Sequence, residues 1–175
     1  MMYLVTGGSA SGKSVYAEKL AMELDGKRRY YIAAMKPSGE EGRLRVEKHR
    51  RMRAGKGFVT LECFTNLKHL TFPDGGERER VVLLECLSNL AANEQFDVGG
   101  SEEEIYGRIV DGILCLQKQA NHIIIVTNEV FSDGVDYDEA TKSYIRLLGK
   151  LNVRLAGLAD CVTEVVFGIP VTIKP

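Results

Sequence analysis

Residues Gly7-Gly8-Ser9-Ala10-Ser11-Gly12-Lys13-Ser14 satisfy G-x-x-x-x-G-K-[ST], between an apolar run, Met2-Tyr3-Leu4-Val5, and an amphipathic stretch. No other feature constrains the fold as strictly. With four fixed positions, the pattern arises by accident in about one chain per hundred of this length. Its setting, a strand running into a loop that opens a helix, is the one in which it works. Glycines let backbone N–H groups converge on phosphate oxygens, and a helix starting near Lys13 turns its positive dipole end toward the anion. Lys13 is expected to reach the outer phosphates, and the Ser14 hydroxyl to ligate Mg²⁺. The pattern predicts a nucleoside triphosphate site over Gly7 to Ser14.

The other apolar runs say what surrounds that loop. Candidate strands lie at 2–6, 29–33, 58–62, 80–85, 122–127 and 161–167. Val81-Val82-Leu83-Leu84 and Ile123-Ile124-Ile125-Val126 are continuous rather than alternating, as in parallel strands covered on both faces. Helical patterns separate them. Tyr16, Ala17, Leu20, Ala21 and Leu24 form one stripe after the loop. Ser101-Glu102-Glu103-Glu104 reads as a capping box that opens a helix toward Gln119. Asp136-Tyr137-Asp138-Glu139 starts another, which buries Ile145, Leu148, Leu151, Leu155 and Leu158. Alternating strands and helices predict an α/β fold with a mostly parallel sheet, one domain over residues 1–175. Ligands of such sheets collect at the carboxyl ends of the strands.

Composition excludes several classes. A net charge of −1 over 175 residues leaves any basic site local. Cys63, Cys86, Cys115 and Cys161 form no C-x-x-C pair, and three lie in or beside apolar runs, which suits reduced thiols. No run approaches a membrane span and no signal-peptide core precedes the loop, so a cytoplasmic protein is expected.

Two acids close apolar strands. Glu85 follows Val81–Leu84, and Glu129 follows the run ending Val126-Thr127. A carboxylate in this place can hold the water shell of Mg²⁺, and Glu85 is the favoured metal partner of Ser14. Glu129 stays open between that role and a solvated strand end. Residues 43–56 carry seven basic side chains, a single acid, Glu47, and one histidine. On a helix Arg45, His49 and Arg53 share a face. The segment is either a solvated basic face or a phosphate grip in which His49 does chemistry. Surrounding cations would disfavour the imidazolium and leave a nucleophilic ring nitrogen. Lack of interleaved aromatics speaks against nucleic acid as its target. His122 opens a buried strand and reads as structural, and His69 reads as a surface residue.

Val5-Thr6-Gly7-Gly8, Tyr31-Ile32-Ala33, Arg45-Val46-Glu47-Lys48-His49-Arg50, Leu83-Leu84-Glu85-Cys86 and Val126-Thr127-Asn128-Glu129-Val130 form a recognisable set, which continues to Val171-Thr172-Ile173-Lys174. Over nearly its whole length the chain resembles the bifunctional adenosylcobinamide kinase / adenosylcobinamide-phosphate guanylyltransferase family of cobalamin biosynthesis. The resemblance implies a RecA-like P-loop domain and a homotrimer. It implies ATP or GTP as phosphate donor, a corrinoid acceptor, and GMP carried on His49 as a phosphoramidate. It maps nucleotide contacts onto Gly7, Gly8, Ser9, Ala10, Ser11, Gly12, Lys13 and Ser14, onto Ala33, Ala34 and Met35, onto Arg50, Arg51, Met52 and Arg53, and onto Glu62 and Glu85. The chain departs from the family where Ala10 replaces a common arginine, where Phe58 stands for a tryptophan, and at Phe131-Ser132-Asp133-Gly134-Val135. A small-molecule kinase without covalent intermediate, or a nucleotide-switched binding protein, are the alternatives that the residues alone leave open.

Overall fold

The computed structural model describes residues 1–37, 39–73, 79–130 and 134–175, apart from the side chains of Glu41, Arg45, Lys48, His49 and Met52. Seven strands form one sheet in the order β3-β2-β4-β5-β1-β6-β7. They are β1 (Met2–Thr6), β2 (Arg28–Ala33), β3 (Phe58–Glu62), β4 (Arg80–Glu85), β5 (His122–Val126), β6 (Cys161–Val166) and β7 (Ile169–Lys174). The first six are parallel, and β7 returns antiparallel to β6. The helices are α1 (Lys13–Glu23), α2 (Gly39–Arg53), α3 (Leu87–Asn93), α4 (Glu102–Gln119) and α5 (Glu139–Leu158).

Alternation along each strand assigns the faces. Tyr31, Val81, Leu83, Ile124 and Val126 point to one side, where Ala17 and Ala21 of α1 complete an apolar cluster. Tyr30, Ile32, Val82, Leu84, Ile123 and Ile125 point to the other, into a larger cluster with α3, α4 and α5. Helices thus cover both faces, and all six residues of β4 are buried. Both anticipated starts form. Ser101 and Glu104 make the reciprocal capping box of α4, and the Asp138 carboxylate accepts from Thr141 N–H at the start of α5. On α5 the buried residues are Leu147, Leu148, Leu151 and Leu155, while Ile145 and Leu158 are half-buried. On α1 the stripe holds at Ala17 and Ala21, with Glu18 buried between them.

The strand expected at 161–167 ends at Val166, and a seventh follows. Phe167 and Gly168 link them with φ of 51° and 81°. Val166 pairs with Ile169, which makes this a two-residue hairpin of the I′ kind. Phenylalanine stands where asparagine or aspartate usually marks such a turn, so the pattern carries no turn signal. All four cysteines are free, and only Cys86 is buried.

Candidate functional site

The loop after β1 is held from both sides. Glu129 N–H, beyond β5, donates to Gly7 O at 3.2 Å, and Gly168 N–H, in the β6–β7 turn, donates to Ser11 O at 2.8 Å. Gly7 has no room for a side chain, because a Cβ there would lie 2.6 Å from Val165 O and from Ser11 Oγ. Gly12 takes φ 94° as the N-cap of α1, and Ala10, where a family arginine is common, adopts φ 58°. Lys13 folds back so that Nζ donates to Gly8 O at 2.8 Å. Burial lowers its pKa, partly opposed by nearby Cys86 and Glu85. Ser11 Oγ is buried and has no hydrogen-bond partner among the described residues.

Four side chains converge beside this loop. Ser14 Oγ donates to Glu85 Oε1, and the Tyr31 hydroxyl donates to Glu85 Oε2 at 3.2 Å. The parallel register sets Tyr31 against Leu83 and Ala33 against Glu85, so Tyr31 and Glu85 share the α1 face. Burial, with Glu85 adjacent, pushes the Tyr31 phenol far up, so it remains a donor. The Arg53 guanidinium, from the end of α2, stacks 3.5 Å from the centre of the Tyr31 ring. Arg53 is 7% exposed, and its Nε and Nη1 are buried without partners among the described residues. A buried cation with unfilled donors is costly unless an anion completes it. The solvated-face reading of residues 43–56 therefore fails at Arg53.

The other expected residues fall as follows. Ala33 ends β2 opposite Glu85, and Ala34 and Met35 follow it, with Ala34 N–H donating to Glu85 O at 3.0 Å. Arg50 and Glu62 meet in a 2.8 Å ion pair. Arg51 pairs with Glu47 at the surface, one turn back on α2. His49 lies on the backbone of α2, but its side chain, like those of Arg45 and Met52, is outside the described residues, as are residues 131–133. Phe58 lies edge-on to Tyr31, with ring centres 6.3 Å apart. Glu129 is half-buried and bound to the loop through its backbone. His69 is exposed in a 3₁₀ turn, and His122 is half-buried beside Tyr3.

Sequence reading missed two features. Glu18 is fully buried against Lys56, 2.5 Å away, on the α1 side of the site. A polar cluster also caps β4 and β5. Asn128 Nδ2 donates to Ser88 Oγ at 2.6 Å, Asn89 Nδ2 donates to Cys86 Sγ at 3.1 Å, and the Tyr144 hydroxyl donates to Ser88 O at 3.2 Å. Asn128, two residues past the end of a parallel strand, was the available signal.

Solved structures share the fold at low identity. An ATPase of a bacterial type III secretion system matches with TM-score 0.57 and 12% identity, over 98% of this chain and 56% of that one. A second solved ATPase domain matches with TM-score 0.54 and 14% identity, over 93% of this chain and 68% of its own. Sequence relatives are nearer. The bifunctional adenosylcobalamin biosynthesis protein CobU of Escherichia coli K12 is 35% identical over 99% of this chain and all of its own length. The protein of the same description from Salmonella typhimurium is 34% identical over the same shares. CobP of Pseudomonas aeruginosa is 31% identical over 99% of this chain and 98% of its own. A family model matches residues 3–173, and the chain therefore belongs to the cobinamide kinase / cobinamide phosphate guanyltransferase family.

Proposed function

We propose that this protein, acting as one nucleotide-binding domain over residues 1–175, phosphorylates cobinamide and then passes GMP from GTP to cobinamide phosphate through His49. The observation that carries the reading is the meeting of Ser14, Glu85 and Lys13 at the loop after β1, in a chain that matches the family over residues 3–173.

Phosphates would lie along the loop from Gly7 to Ser14, where converging N–H groups, the α1 dipole and Lys13 oppose their charge. On binding, Lys13 would exchange Gly8 O for a phosphate oxygen, and Ser11 Oγ would gain the partner it lacks. The donor set suits Mg²⁺. Ser14 and Glu85 give one hydroxyl and one carboxylate, and the described residues hold no cluster of three acids, cysteines or histidines. Mg²⁺ keeps several waters and takes few protein ligands, so this sparse hard-oxygen pair fits it. Bound there, it supplies charge neutralisation for the phosphates.

In the second half-reaction a neutral His49 ring nitrogen forms a bond to the α-phosphorus of GTP, and the bond to the bridging oxygen breaks, releasing pyrophosphate. A phosphate oxygen of cobinamide phosphate then attacks the same phosphorus and displaces the imidazole. Histidine regains its lone pair and the product holds a pyrophosphate link. Arg53, buried with two unfilled donor groups at the end of the helix that bears His49, supports an anion at this place. The remaining family contacts, including Arg50, Arg51, Met52, Glu62 and Ala33 to Met35, are assigned to nucleotide on the same ground.

A cytoplasmic homotrimer completes the proposal. Four unbonded cysteines suit a reducing compartment. The outer hairpin exposes Phe167 (94%), Ile169 (65%) and Ile173 (60%), an apolar edge that supports self-assembly. The test is incubation with GTP labelled on the α-phosphate and Mg²⁺. An acid-labile, base-stable protein–GMP adduct is expected in wild type and in His122→Ala, and none in His49→Ala. An adduct that survives His49→Ala refutes the assignment.

A further inference from the structure

The nucleotide elements lie on the α1 face and at the loop after β1, which leaves the acceptor unplaced. Ligands of a parallel sheet collect in crevices at the carboxyl ends of its strands. The polar cluster of Ser88, Asn89 and Asn128 lies at that end of β4 and β5. Ser88 is 5% exposed and forms the floor, whereas Asn89 and Asn128 are half-buried. The Tyr144 hydroxyl, pushed up to about 12 by burial and by Cys86, stays protonated and pins the backbone of Ser88.

Two residues beyond Asn128 begins a cavity of about 300 Å³ whose walls include Val130, Tyr137, Ile145 and Arg146. Val130 follows Glu129, whose N–H is bonded to Gly7 of the nucleotide loop at 3.2 Å. One wall of the cavity is thus a single peptide from the phosphate site. The helix that lines the cavity through Ile145 also reaches Ser88 through the Tyr144 hydroxyl. An apolar wall, a phenol ring and a guanidinium line this cavity, and the amide side chains of Asn128 and Asn89 lie at the strand ends before it.

We propose that this crevice receives the corrinoid acceptor, with edge amides of the macrocycle against Asn128 and Asn89 and an apolar edge in the cavity of Val130, Tyr137 and Ile145. The inference rests on the reading that cobinamide is the substrate. Side-chain amides donate and accept at once, so they match the primary amides around a corrin ring, and Arg146 adds donors for amide carbonyls. A cavity of this volume holds an edge of the macrocycle and leaves the ring across its mouth. The acceptor hydroxyl then faces the loop from the side opposite α1.

Adenosylcobinamide is the probe, with binding followed by equilibrium dialysis read through corrin absorbance and turnover followed with GTP. Ile145→Asp puts a charge in the apolar wall, and Arg146→Ala removes an exposed donor without disturbing the core. Each is expected to raise Kd and KM for adenosylcobinamide by about tenfold, the equivalent of one lost contact, with KM for GTP within twofold of wild type. If wild type binds the corrinoid and forms the GMP adduct but both variants bind the corrinoid as wild type does, the crevice is not the acceptor site. If wild type forms no adduct and binds no corrinoid, the functional reading falls and takes the inference with it.

Discussion

Tyr31→Phe isolates one hydroxyl in the middle of the site. Tyr31 is 3% exposed, and its ring is gripped by the Arg53 guanidinium at 3.5 Å and by Phe58 edge-on at 6.3 Å. Phenylalanine preserves both ring contacts, so the change removes only the bond to Glu85 Oε2. A hydrogen bond to a charged group contributes about 1.5–3 kcal/mol, and at 3.2 Å the lower end applies, about 1.5 kcal/mol. At about 2–4 °C per kcal/mol for a chain of this size, Tm should fall by about 3–6 °C. Glu85 would lose a donor that orients it toward Ser14. Its alignment for Mg²⁺ should suffer by no more than the same energy, about a tenfold rise in the Mg²⁺ concentration for half-maximal nucleotide binding. Urea unfolding gives the first quantity, and titration of a fluorescent GTP analogue against Mg²⁺ gives the second. A Tyr31→Phe protein within about 0.5 kcal/mol of wild type, with an unshifted Mg²⁺ midpoint, would refute the claim that this hydroxyl positions Glu85.

Lys13→Ala should weaken nucleotide binding about 10- to 150-fold, the equivalent of the roughly 1.5–3 kcal/mol of a charge-assisted contact, with the fold intact by circular dichroism. Unchanged affinity in the folded variant would mean that Lys13 stays on Gly8 O when nucleotide binds. The pH dependence of stability carries a signature of His122, whose pKa is lowered by burial and by the amino terminus, with Asp25 opposing. The unfolded chain then takes a proton first as pH falls below about 6.5, so this residue's contribution is full above about 6.5 and is lost below it. His122→Gln should flatten that part of the slope in urea unfolding between about pH 7.5 and 5, and an unchanged slope would refute the assignment.

Much of the candidate site's geometry was legible because it is built from backbone and from near neighbours in sequence. Gly7 to Ser14 needs only a strand before it and a helix after it, and both form where apolar runs and spacing place them. Strands β1, β3 and β4 match the sequence reading residue for residue. For β4 the reason is a continuous apolar run, the mark of a strand covered on both faces. The hairpin to β7 was illegible because Phe167 takes a positive φ that its type does not advertise. Tyr31 reads as an ordinary core aromatic in sequence. Its role appears only when β2 pairs with β4 and sets the hydroxyl against Glu85, 54 residues away.

The sequence by itself determined the glycine-rich turn between β1 and α1, the parallel α/β architecture and the acid at the end of β4, because each is a local pattern with a local physical cause. Only tertiary structure decided which of the clustered cations would be withdrawn from water. Arg50 and Arg51 remain on the surface paired with Glu62 and Glu47, whereas Arg53 is buried on Tyr31 with two donor groups unfilled. Periodicity places all three arginines on one helix. What separates them is the sheet face beneath, where β2 presents an aromatic ring and β4 a carboxylate. Desolvation is a property of that packed arrangement and of no single segment of the chain.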